Sequence, residues 1–598
     1  MKIPANTWRR LRRLLVMIVS GLGGICLLAI VVGLIWWLFF SGPGSVPGRT
    51  VLELDFERDY IEHVPEDLVA RALHGSGPTV RDVVEALERA AHDDRVKAIV
   101  ARVGSSGMGL AKIQEIRDAV HAFRAEGKLA VAYAETFGEF GPGNGAYYLA
   151  TAFDEIYLQP SGDIGLTGLI VETPFVRDAL DKIGVEMRGD QRYEYKNAFN
   201  IITDTAYTDA HREASAHVMW SQFEQMVNGI ADARGLDDEE VESLFDRGLF
   251  LGVEAVEAGL VDGLAYRDEV YTKLLDRFDE DAEFLYLGEY LKRAGRPYDG
   301  GEVIALIYGV GGVQRGESGF DPLFQAPTMG SETVTAAFRA AIRDEDVKAI
   351  IFRVDSPGGS YVASDAIWRA VVTARESNKP VIVSMGDVAG SGGYFVAMAA
   401  DKIVAQPATV TGSIGVLSAK PLTSEMWEEL GIDWDEVHTS EKSTMWSGMH
   451  DYSEAEWQRF QDLLDRIYED FTTKVSEGRD LPIERTLEIA RGRIWPGSTA
   501  KELGLVDELG GFPVALRLAR EAAGIAEDAD VELRVFPRPR SLWERIREED
   551  PASSEEEVVA ALVRRLVEAA RPVARLGRQL GLGGPPGILR MPEIQVER

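Results

Sequence analysis

An internal repeat constrains the fold of this 598-residue chain more than any other feature of its sequence. The stretch Val96–Val103 (VKAIVARV) recurs as Val347–Val354 (VKAIIFRV), and Asp154–Pro160 (DEIYLQP) recurs as Asp401–Pro407 (DKIVAQP). Two related patterns that recur in the same order predict one structural unit built twice. The chain is also too long for a single hydrophobic core, so several domains are expected.

Strand-like runs of Val and Ile alternate with helical patterns in both copies. A helical pattern precedes the first shared run, at Val80–Ala91 and Val334–Ile342, and a long one follows later, at Asp209–Arg234 and Ser453–Arg479. Such alternation is typical of βαβ units and of mainly parallel sheets. We therefore predict an α/β fold with two similar domains.

A polar junction, Lys292–Gly301, separates the two copies. It places an N-terminal repeat at residues 46–298 and a C-terminal repeat at residues 299–540. The remaining residues, 541–598, combine a charged piece with an apolar, Arg-bearing helical pattern that ends at Pro572. This pattern suits a helix that packs on a neighbouring subunit or lies on a membrane surface, and we expect simple packing.

Residues 1–45 contain an apolar stretch, 14–40, that is uninterrupted by charge and long enough to cross a bilayer. Basic residues precede it, which places the N-terminus in the cytoplasm and the rest of the chain on the other side. The stretch ends in Trp-Trp-Leu-Phe-Phe and not in a small-x-small cleavage site. We therefore expect a transmembrane helix that stays as an anchor, and not a cleaved signal peptide.

Composition excludes several classes of function. The only cysteine, Cys26, lies in the apolar stretch, so the rest of the chain has no disulfide, cysteine ligand or cysteine nucleophile. A formal net charge of −33 argues against nucleic acid as a partner. The sequence has no Walker-type loop and no His/Glu metal spacing, so we expect neither a cofactor nor a metal.

The stretch Gly386–Ala400 (GDVAGSGGYFVAMAA) places Ser391 between glycines, after the strand-like run Pro380–Ser384 and before a predicted buried helix. A serine at such a strand-to-helix turn can hold its hydroxyl at a helix N-terminus, where backbone N–H groups favour a developing negative charge. A nucleophile needs this environment. The same residues also suit a tight turn whose glycines only permit close packing.

The two copies differ at the positions that this chemistry would need. Superposing them places Asn144 opposite Ser391, and Gly107-Met108 opposite Gly358-Gly359. The backbone N–H groups of Gly359 and Gly392 would form a two-donor oxyanion hole around a carbonyl that Ser391 attacks. Only the second copy can form this arrangement, so the first copy is a degenerate one.

Ser391 also needs a base, and the residues alone leave two lysines open. None of the eight histidines lies in a motif core, so nothing supports a Ser-His-Asp triad. A lysine whose pKa is lowered by burial can replace histidine. Lys196 has aromatic neighbours in RYEYKNAF, and Lys442 lies at nearly the same place in the second copy, beside Glu441. Ser413, in TGSIG, could orient the lysine.

Together these motifs resemble the signal peptide peptidase A family in its long, two-repeat form. The resemblance spans roughly residues 10–540 and rests on DSPGGS (355–360), GDVAGSGGY (386–394), TGSIG (411–415) and the pair Tyr195-Lys196. It implies two tandem domains of the Clp-protease and crotonase fold, with ββα repeats, preceded by one transmembrane helix. One departure is Asn197, where the family usually carries Ser or Asp.

The resemblance also implies a role for each site residue. Ser391 matches the nucleophile of a Ser/Lys dyad, Lys196 and not Lys442 matches the general base, and Ser413 matches the serine that positions the lysine. Gly359 and Gly392 match the oxyanion donors. The active site would then lie between the two repeats.

The implied function is that of a membrane-bound serine endopeptidase that degrades cleaved signal peptides as a homotetramer on the membrane. Its expected location is the bacterial inner membrane, with a cytoplasmic N-terminus and periplasmic catalytic domains. A broader envelope quality-control protease, a catalytically silent membrane scaffold and a crotonase-like acyl-CoA enzyme are the alternatives. The presence of both Ser391 and Lys196 argues against the last two.

Overall fold

A computed structural model describes residues 44–58, 60–64, 77–104, 107–278, 282–321 and 326–538, and the backbone of 589–590. The predicted anchor at 14–40 and the helical pattern of the tail lie outside these ranges. Within them, no helix combines the length and the apolar character that crossing a membrane requires.

The strands of the first half are β1 (Thr50–Asp55), β2 (Val96–Arg102), β3 (Leu129–Ala134), β4 (Glu155–Leu158), β5 (Asp163–Leu166), β6 (Glu186–Gln191), β7 (Gly248–Leu251), β8 (Gly263–Leu264) and β9 (Glu283–Tyr286). Its helices are α1 (Val80–Ala91), α2 (Leu110–Ala125), α3 (Asn144–Ala150), α4 (Arg177–Asp181), α5 (Asn200–Thr203), α6 (Asp209–Arg234), α7 (Asp238–Arg247), α8 (Gly252–Glu257), α9 (Arg267–Arg277) and α10 (Leu287–Ala294).

The strands that follow are β10 (Glu302–Val310), β11 (Gly312–Gln314), β12 (Gly319–Asp321), β13 (Ala326–Gly330), β14 (Val347–Ser356), β15 (Gly358–Gly359), β16 (Val381–Gly390), β17 (Lys402–Ala405), β18 (Val410–Gly412), β19 (Leu417–Leu422), β20 (Ile494–Pro496), β21 (Glu508–Leu509), β22 (Val531–Phe536) and β23 (Leu589–Arg590). The helices are α11 (Ser331–Arg343), α12 (Tyr361–Glu376), α13 (Gly392–Phe395), α14 (Ser424–Glu429), α15 (Glu454–Arg479), α16 (Ile483–Ile489), α17 (Gly497–Glu502) and α18 (Phe512–Ala523).

Each half is built around one mainly parallel sheet. The first sheet has the order β8-β4-β3-β2-β1-β9, and its strand pairs are parallel. The second has the order β20-β18-β16-β14-β10-β22; β17 also pairs with β16, and β21 pairs with β17. Only its β18–β20 pair is antiparallel. The predicted α/β fold with two similar domains is therefore confirmed. The domain boundaries at 298/299 and 540/541 stay predictions.

Both faces of the second sheet are buried, as parallel sheets require. Along β10, Ala305 and Ile307 pack into one hydrophobic cluster, whereas Ile304 and Leu306 pack into another with helix α18. The alternation follows from the two-residue period of a strand. Helices consequently cover both faces and leave the strand ends for the site.

The structure confirms both long helical patterns, as α6 and α15. The helix predicted at Val334–Ile342 begins three residues earlier and ends one later, at Ser331–Arg343. After Ser391, in contrast, the helix is a single turn, Gly392–Phe395, followed by buried turns. The helix ends early because β17 begins at Lys402 beside β16, so the chain has to turn back within a few residues.

A two-stranded ribbon joins the halves. Strand β6 of the first half pairs antiparallel with β19 of the second, in a register that sets Gln191 opposite Leu417. Beyond the ribbon, the backbone N–H of Arg192 donates to the carbonyl of Val416 over 2.9 Å. The ribbon thus delivers the segment after Arg192, which contains Lys196, to the TGSIG turn of the second half.

The C-terminal end of the chain contacts the same region. The backbone of Leu589–Arg590 pairs antiparallel with β15, which consists of Gly358 and Gly359. The remainder of the predicted tail is not among the residues that the structure describes.

Candidate active site

Ser391 lies at the turn between β16 and α13, as the glycine pattern predicts. Its side chain is fully buried, and its backbone has a φ of 55° and a ψ of −117°, a conformation that few residues other than glycine adopt. Its N–H donates to the carbonyl of Gly412 over 2.8 Å, which ties the turn to β18. Strained backbone at a strand-to-helix turn is typical of positions that expose a nucleophile to a site.

The structure brings Lys196 of the first half to Ser391 of the second. A hydrogen bond of 2.7 Å joins the Nζ of Lys196 and the Oγ of Ser391. The same Nζ donates to the carbonyl of Ser413 over 2.7 Å and lies 2.9 Å from its Oγ. Three of the residues that the sequence suggests are therefore in direct contact, and Ser413 holds the Nζ of the lysine through two oxygen atoms.

Burial lowers the pKa of Lys196 well below its ordinary value. The lysine is completely buried, and its three close partners are neutral oxygens rather than carboxylates. Removing a charged ammonium from water is costly when no opposite charge compensates it. The site therefore favours the neutral form of the lysine, which is the form that a general base needs.

Two glycines of the second half enclose Lys196. A Cβ atom at Gly492 would lie 2.4 Å from the Cβ of Lys196 and 2.5 Å from its backbone nitrogen, and Gly492 has a φ of +80°. A Cβ atom at Gly415 would lie 3.2 Å from the Cδ of Lys196. The predicted aromatic neighbours contribute less, since Tyr193 is 49% exposed. Close backbone contact from the other half is what buries the lysine.

The loop Arg491–Gly492–Arg493 is part of the site that sequence reasoning missed. The carbonyl of Arg493 accepts from the N–H of Ser413 over 2.7 Å, and the N–H of Gly492 donates to the carbonyl of Ile414 over 2.8 Å. The loop therefore contacts both Lys196 and the serine that holds it. Its sequence resembles an ordinary basic turn, so no local signal distinguishes it.

Charged groups surround the lysine only at a distance, as ion pairs between the halves. Arg491 pairs with Glu194 at 2.6 Å, and Arg493 pairs with Glu213 at 2.5 Å. Asn197, the departure from the family pattern, is buried, and its Oδ1 has no hydrogen-bond partner within the described ranges. The Oδ1 of Asn197 therefore accepts no hydrogen bond from the Nζ of Lys196.

Gly359 and Gly392 lie against each other beside Ser391. A Cβ atom at Gly392 would lie 2.9 Å from the backbone nitrogen of Gly359. Ser356 supports this turn, since its Oγ donates to the carbonyl of Gly311 over 2.7 Å and accepts from the N–H of Gly358 over 3.2 Å. The arrangement can therefore place two backbone N–H groups near one oxygen atom.

In the first half, Asn144 occupies the position that corresponds to Ser391, and its side chain is hydrogen-bonded to the backbone. The Nδ2 of Asn144 donates to the carbonyl of Gly168 over 2.8 Å, and its Oδ1 accepts from the N–H of Gly168 over 3.1 Å. Lys442, the second candidate base, is exposed on the surface. Within the described part of the chain, no group of three or more His, Cys, Asp or Glu side chains could hold a metal ion.

Comparison with known proteins gives related results for both halves. The model of peptidase family S49 matches residues 122–279, which include Lys196, and 373–526, which include Ser391 and Ser413. The chloroplastic serine protease SPPA of Arabidopsis thaliana is 31% identical over 481 residues, or 78% of this chain and 69% of its own. Protease 4 of Haemophilus influenzae is 30% identical over 493 residues, or 79% of this chain and 76% of its own.

Among solved structures, a ClpP1 mutant from Listeria monocytogenes aligns with 35% of this chain and 94% of its own. The identity is 13% and the TM-score is 0.22. A likeness at this level carries no argument about the site.

The lowered pKa of Lys196 predicts how its contribution to stability depends on pH. Between the pKa in the folded protein and the ordinary value of 10.5, the unfolded chain binds one proton more than the folded protein. The free energy of unfolding of the wild type should therefore rise with pH, relative to Lys196→Met, by up to about 1.4 kcal/mol per pH unit. Calorimetric melting of both proteins between pH 7 and pH 10 measures this difference.

Lys442→Met is the matched control, because the side chain of Lys442 is in contact with water in the folded protein as well as in the unfolded chain. The free energy of unfolding, relative to wild type, should depend on pH more strongly in Lys196→Met than in this control. An equal dependence on pH in the two variants would contradict a neutral lysine at position 196.

Proposed function

Because the chain belongs to peptidase family S49, as a two-repeat serine protease of the SppA type, we propose that it cleaves peptide bonds with Ser391 as nucleophile and Lys196 as general base. The observation that carries this assignment is the 2.7 Å hydrogen bond between the two side chains in a fully buried site. A neutral lysine at this distance can accept the proton of a serine hydroxyl. The geometry thus favours hydrolysis through a covalent intermediate.

In the proposed reaction, Lys196 accepts the hydroxyl proton of Ser391 while the Oγ of Ser391 bonds to the carbonyl carbon of the substrate. The N–H groups of Gly359 and Gly392 stabilise the oxyanion that forms. The carbon–nitrogen bond then breaks, and the lysine ammonium returns the proton to the leaving amine. What remains is an ester between Ser391 and the acyl part of the substrate.

A water molecule completes the cycle. Lys196, neutral again, accepts a proton from this water, whose oxygen adds to the ester carbonyl. The bond to Ser391 breaks, and the lysine returns the proton to the serine Oγ. Ser413 supports both acylation and deacylation. Its carbonyl and hydroxyl oxygens can accept hydrogen bonds from the Nζ whether the lysine is neutral or charged.

We expect Ser391→Ala and Lys196→Ala each to lower kcat/KM for a fluorogenic peptide by at least about 1,000-fold, since each removes a group that bonds to a reacting atom. Lys442→Ala should keep wild-type activity. In the wild type, kcat/KM should rise with pH as Lys196 loses its proton. Melting curves confirm that each variant folds, and full activity in a folded Lys196→Ala would disprove the assignment of the base.

Gly492→Ala tests whether the second half holds the lysine. Its methyl group would collide with the backbone of Lys196 and not with a movable side-chain end. A displacement of about 1 Å can cost about 100-fold in rate, so we expect a loss of that order in kcat/KM. Gly504→Ala is the control: Gly504 has a φ of +79°, against +80° for Gly492, but a Cβ there would meet only the side chain of Leu481. Equal losses in the two variants would contradict the proposal.

We also propose that residues 14–40 anchor the protein in the bacterial inner membrane, with the N-terminus in the cytoplasm and the catalytic domains in the periplasm. The uncharged apolar stretch and the basic residues before it support this orientation. The substrates that we propose are signal peptides left in the membrane, and the proposed assembly is a homotetramer. Both rest on the resemblance of the four motifs.

Purified full-length protein in detergent should cleave a synthetic signal peptide faster than a charged peptide of equal length. Deletion of residues 1–45 should release the protein from the membrane fraction and leave hydrolysis of the soluble fluorogenic peptide unchanged. A deleted protein that stays in the membrane fraction would contradict the anchor. Preference for the charged peptide would contradict the substrate.

A further inference from the structure

A cluster of six charged side chains, three of them buried and three partly buried, lies between the two halves. We refer to it as the interdomain charge cluster; its members are Glu62, Lys112 and Glu115 from the first half, and Arg353, Asp355 and Asp387 from the second. Their side chains are between 3% and 19% exposed. So many charges are buried only where they are paired with one another.

Lys112 joins the halves within this cluster. Its Nζ lies 2.9 Å from the Oδ2 of Asp355 and 3.3 Å from the Oδ2 of Asp387, with Glu62 at 3.8 Å. Burial alone would lower the pKa of Lys112, but these three carboxylates outweigh it and raise the pKa. The lysine therefore favours its charged form, and it holds its partners by charge.

Asp387 also caps a helix of the other half. Helix α2 begins after Gly109, which has no side chain to cap it. The Oδ1 of Asp387 accepts from the N–H of Lys112, in the first turn of α2, over 3.0 Å. A Cβ atom at Gly109 would lie 1.8 Å from the Cγ of Asp387, so the carboxylate occupies the space that a side chain at Gly109 would need. A carboxylate at this place satisfies a free N–H and the helix dipole.

The second copy of the repeat caps the same position from within. Superposing the copies sets Gly109 opposite Ser360 and Lys112 opposite Ala363, and there the Oγ of Ser360 accepts from the N–H of Ala363 over 3.4 Å. In the first copy, this local cap has been replaced by Asp387 of the other half. The acidic partners are unique to the second copy, since Gly104 lies opposite Asp355 and Phe140 lies opposite Asp387.

Both carboxylates are close to the site in sequence. Asp387 comes four residues before Ser391, and Asp355 comes four residues before Gly359. The Oδ1 of Asp355 accepts from the N–H of Val388 over 3.1 Å, which joins the ends of β14 and β16. Lys112 thus connects the first half to the two strand ends that carry Ser391 and Gly359.

Arg353 anchors the other side of the cluster. Its guanidinium contacts both carboxylate oxygens of Glu62 at 2.8 and 3.0 Å, the Oε2 of Glu115 at 2.7 Å and the Oγ of Ser384 at 2.8 Å. The Oε1 of Glu115 accepts from the N–H of Phe512 over 2.7 Å. Of the three carboxylates that face Lys112, Glu62 is therefore held by Arg353, which lies two residues before Asp355 on β14.

We propose that Lys112 and Asp387 are positioning residues for the reaction: they lock the strand end that carries Ser391 against the half that carries Lys196. This inference rests on the proposed function, in which Ser391 and Lys196 exchange a proton. These two reacting groups come from different halves, so a small relative shift of the halves would lengthen their hydrogen bond. Neither Lys112 nor Asp387 contacts the reacting atoms.

The test compares Lys112→Met and Asp387→Asn with Lys474→Met in the full-length protein. Lys474 is a matched control, because its side chain is also 14% exposed and pairs with two carboxylates, Asp365 at 2.5 Å and Asp470 at 2.8 Å, within the second half. The readouts are kcat and KM for the fluorogenic peptide, the pH at which kcat/KM is half-maximal, and the melting temperature.

We expect kcat to fall by about 100-fold in Lys112→Met, with KM nearly unchanged, because the reacting groups are misaligned. We also expect the half-maximal pH to move upward by about one unit, since water admitted between the halves relieves the burial that lowers the pKa of Lys196. The charged groups on the segments packed around Lys196 (Arg491, Arg493, Glu194 and Glu213) are the same in all variants. Lys474→Met should leave the half-maximal pH unchanged, whatever its melting temperature.

A merely structural role would lower activity in proportion to the folded fraction and would leave the half-maximal pH where it is, and this result would overturn the proposal. Asp387→Asn decides the matter if Lys112→Met does not fold, because asparagine keeps an oxygen for the N–H of Lys112 and removes only the charge. Failure of the proposed function is recognised separately, as full activity in Lys196→Ala. Failure of the positioning role alone leaves Lys196→Ala inactive and gives folded Asp387→Asn a wild-type pH profile.

Discussion

The hydrogen bond between Lys196 and Ser391 is the interaction on which the rest of the structure depends. Its two partners lie 195 residues apart and belong to different halves of the chain. Neither half can bury the lysine alone, because the glycines that enclose it come from the second half. A lowered pKa of Lys196 therefore exists only while the halves are docked. The chemistry that we propose for Lys196 therefore depends on an intact interface between the halves.

The protein uses buried lysines in two opposite ways. Lys196 has neutral oxygen partners, and burial lowers its pKa. Lys112 also contacts the other half, but its partners there are the carboxylates of Asp355 and Asp387. These carboxylates overcome the effect of burial and raise the pKa of Lys112. Coulombic attraction at about 3 Å in a poorly solvated site exceeds the cost of desolvation, whereas hydroxyl and carbonyl dipoles do not. The neighbours thus decide which lysine can act as a base and which one serves as a cation.

Local patterns are sufficient to predict the parallel sheets and the turn that carries Ser391, because strand periodicity and glycine spacing act between sequence neighbours. They do not decide between Lys196 and Lys442, because the burial of a lysine depends on contacts with residues that are distant in the sequence. That decision depends on docking, which buries Lys196 under Gly492 and leaves Lys442 exposed. The contact between Asp387 and the N–H of Lys112 spans 275 residues and leaves no signal except a missing cap at Gly109. Contacts made by docking two domains cannot be read from either domain.

The degenerate first copy gives this division of residues a physical reason. The side-chain amide of Asn144 forms hydrogen bonds to the carbonyl and the N–H of Gly168. The position that corresponds to Ser391 is therefore held by backbone contacts and carries no nucleophile. A serine there would still lack a buried base, because Lys442 is exposed to water. Once one copy has lost its site, its residues are free to support the other site. The first copy provides Lys196, which contacts Ser391, and Lys112, which contacts Asp387. It also provides the helix that begins after Gly109 and that Asp387 caps. The duplication therefore yields one candidate site to which both copies contribute residues, instead of two independent sites.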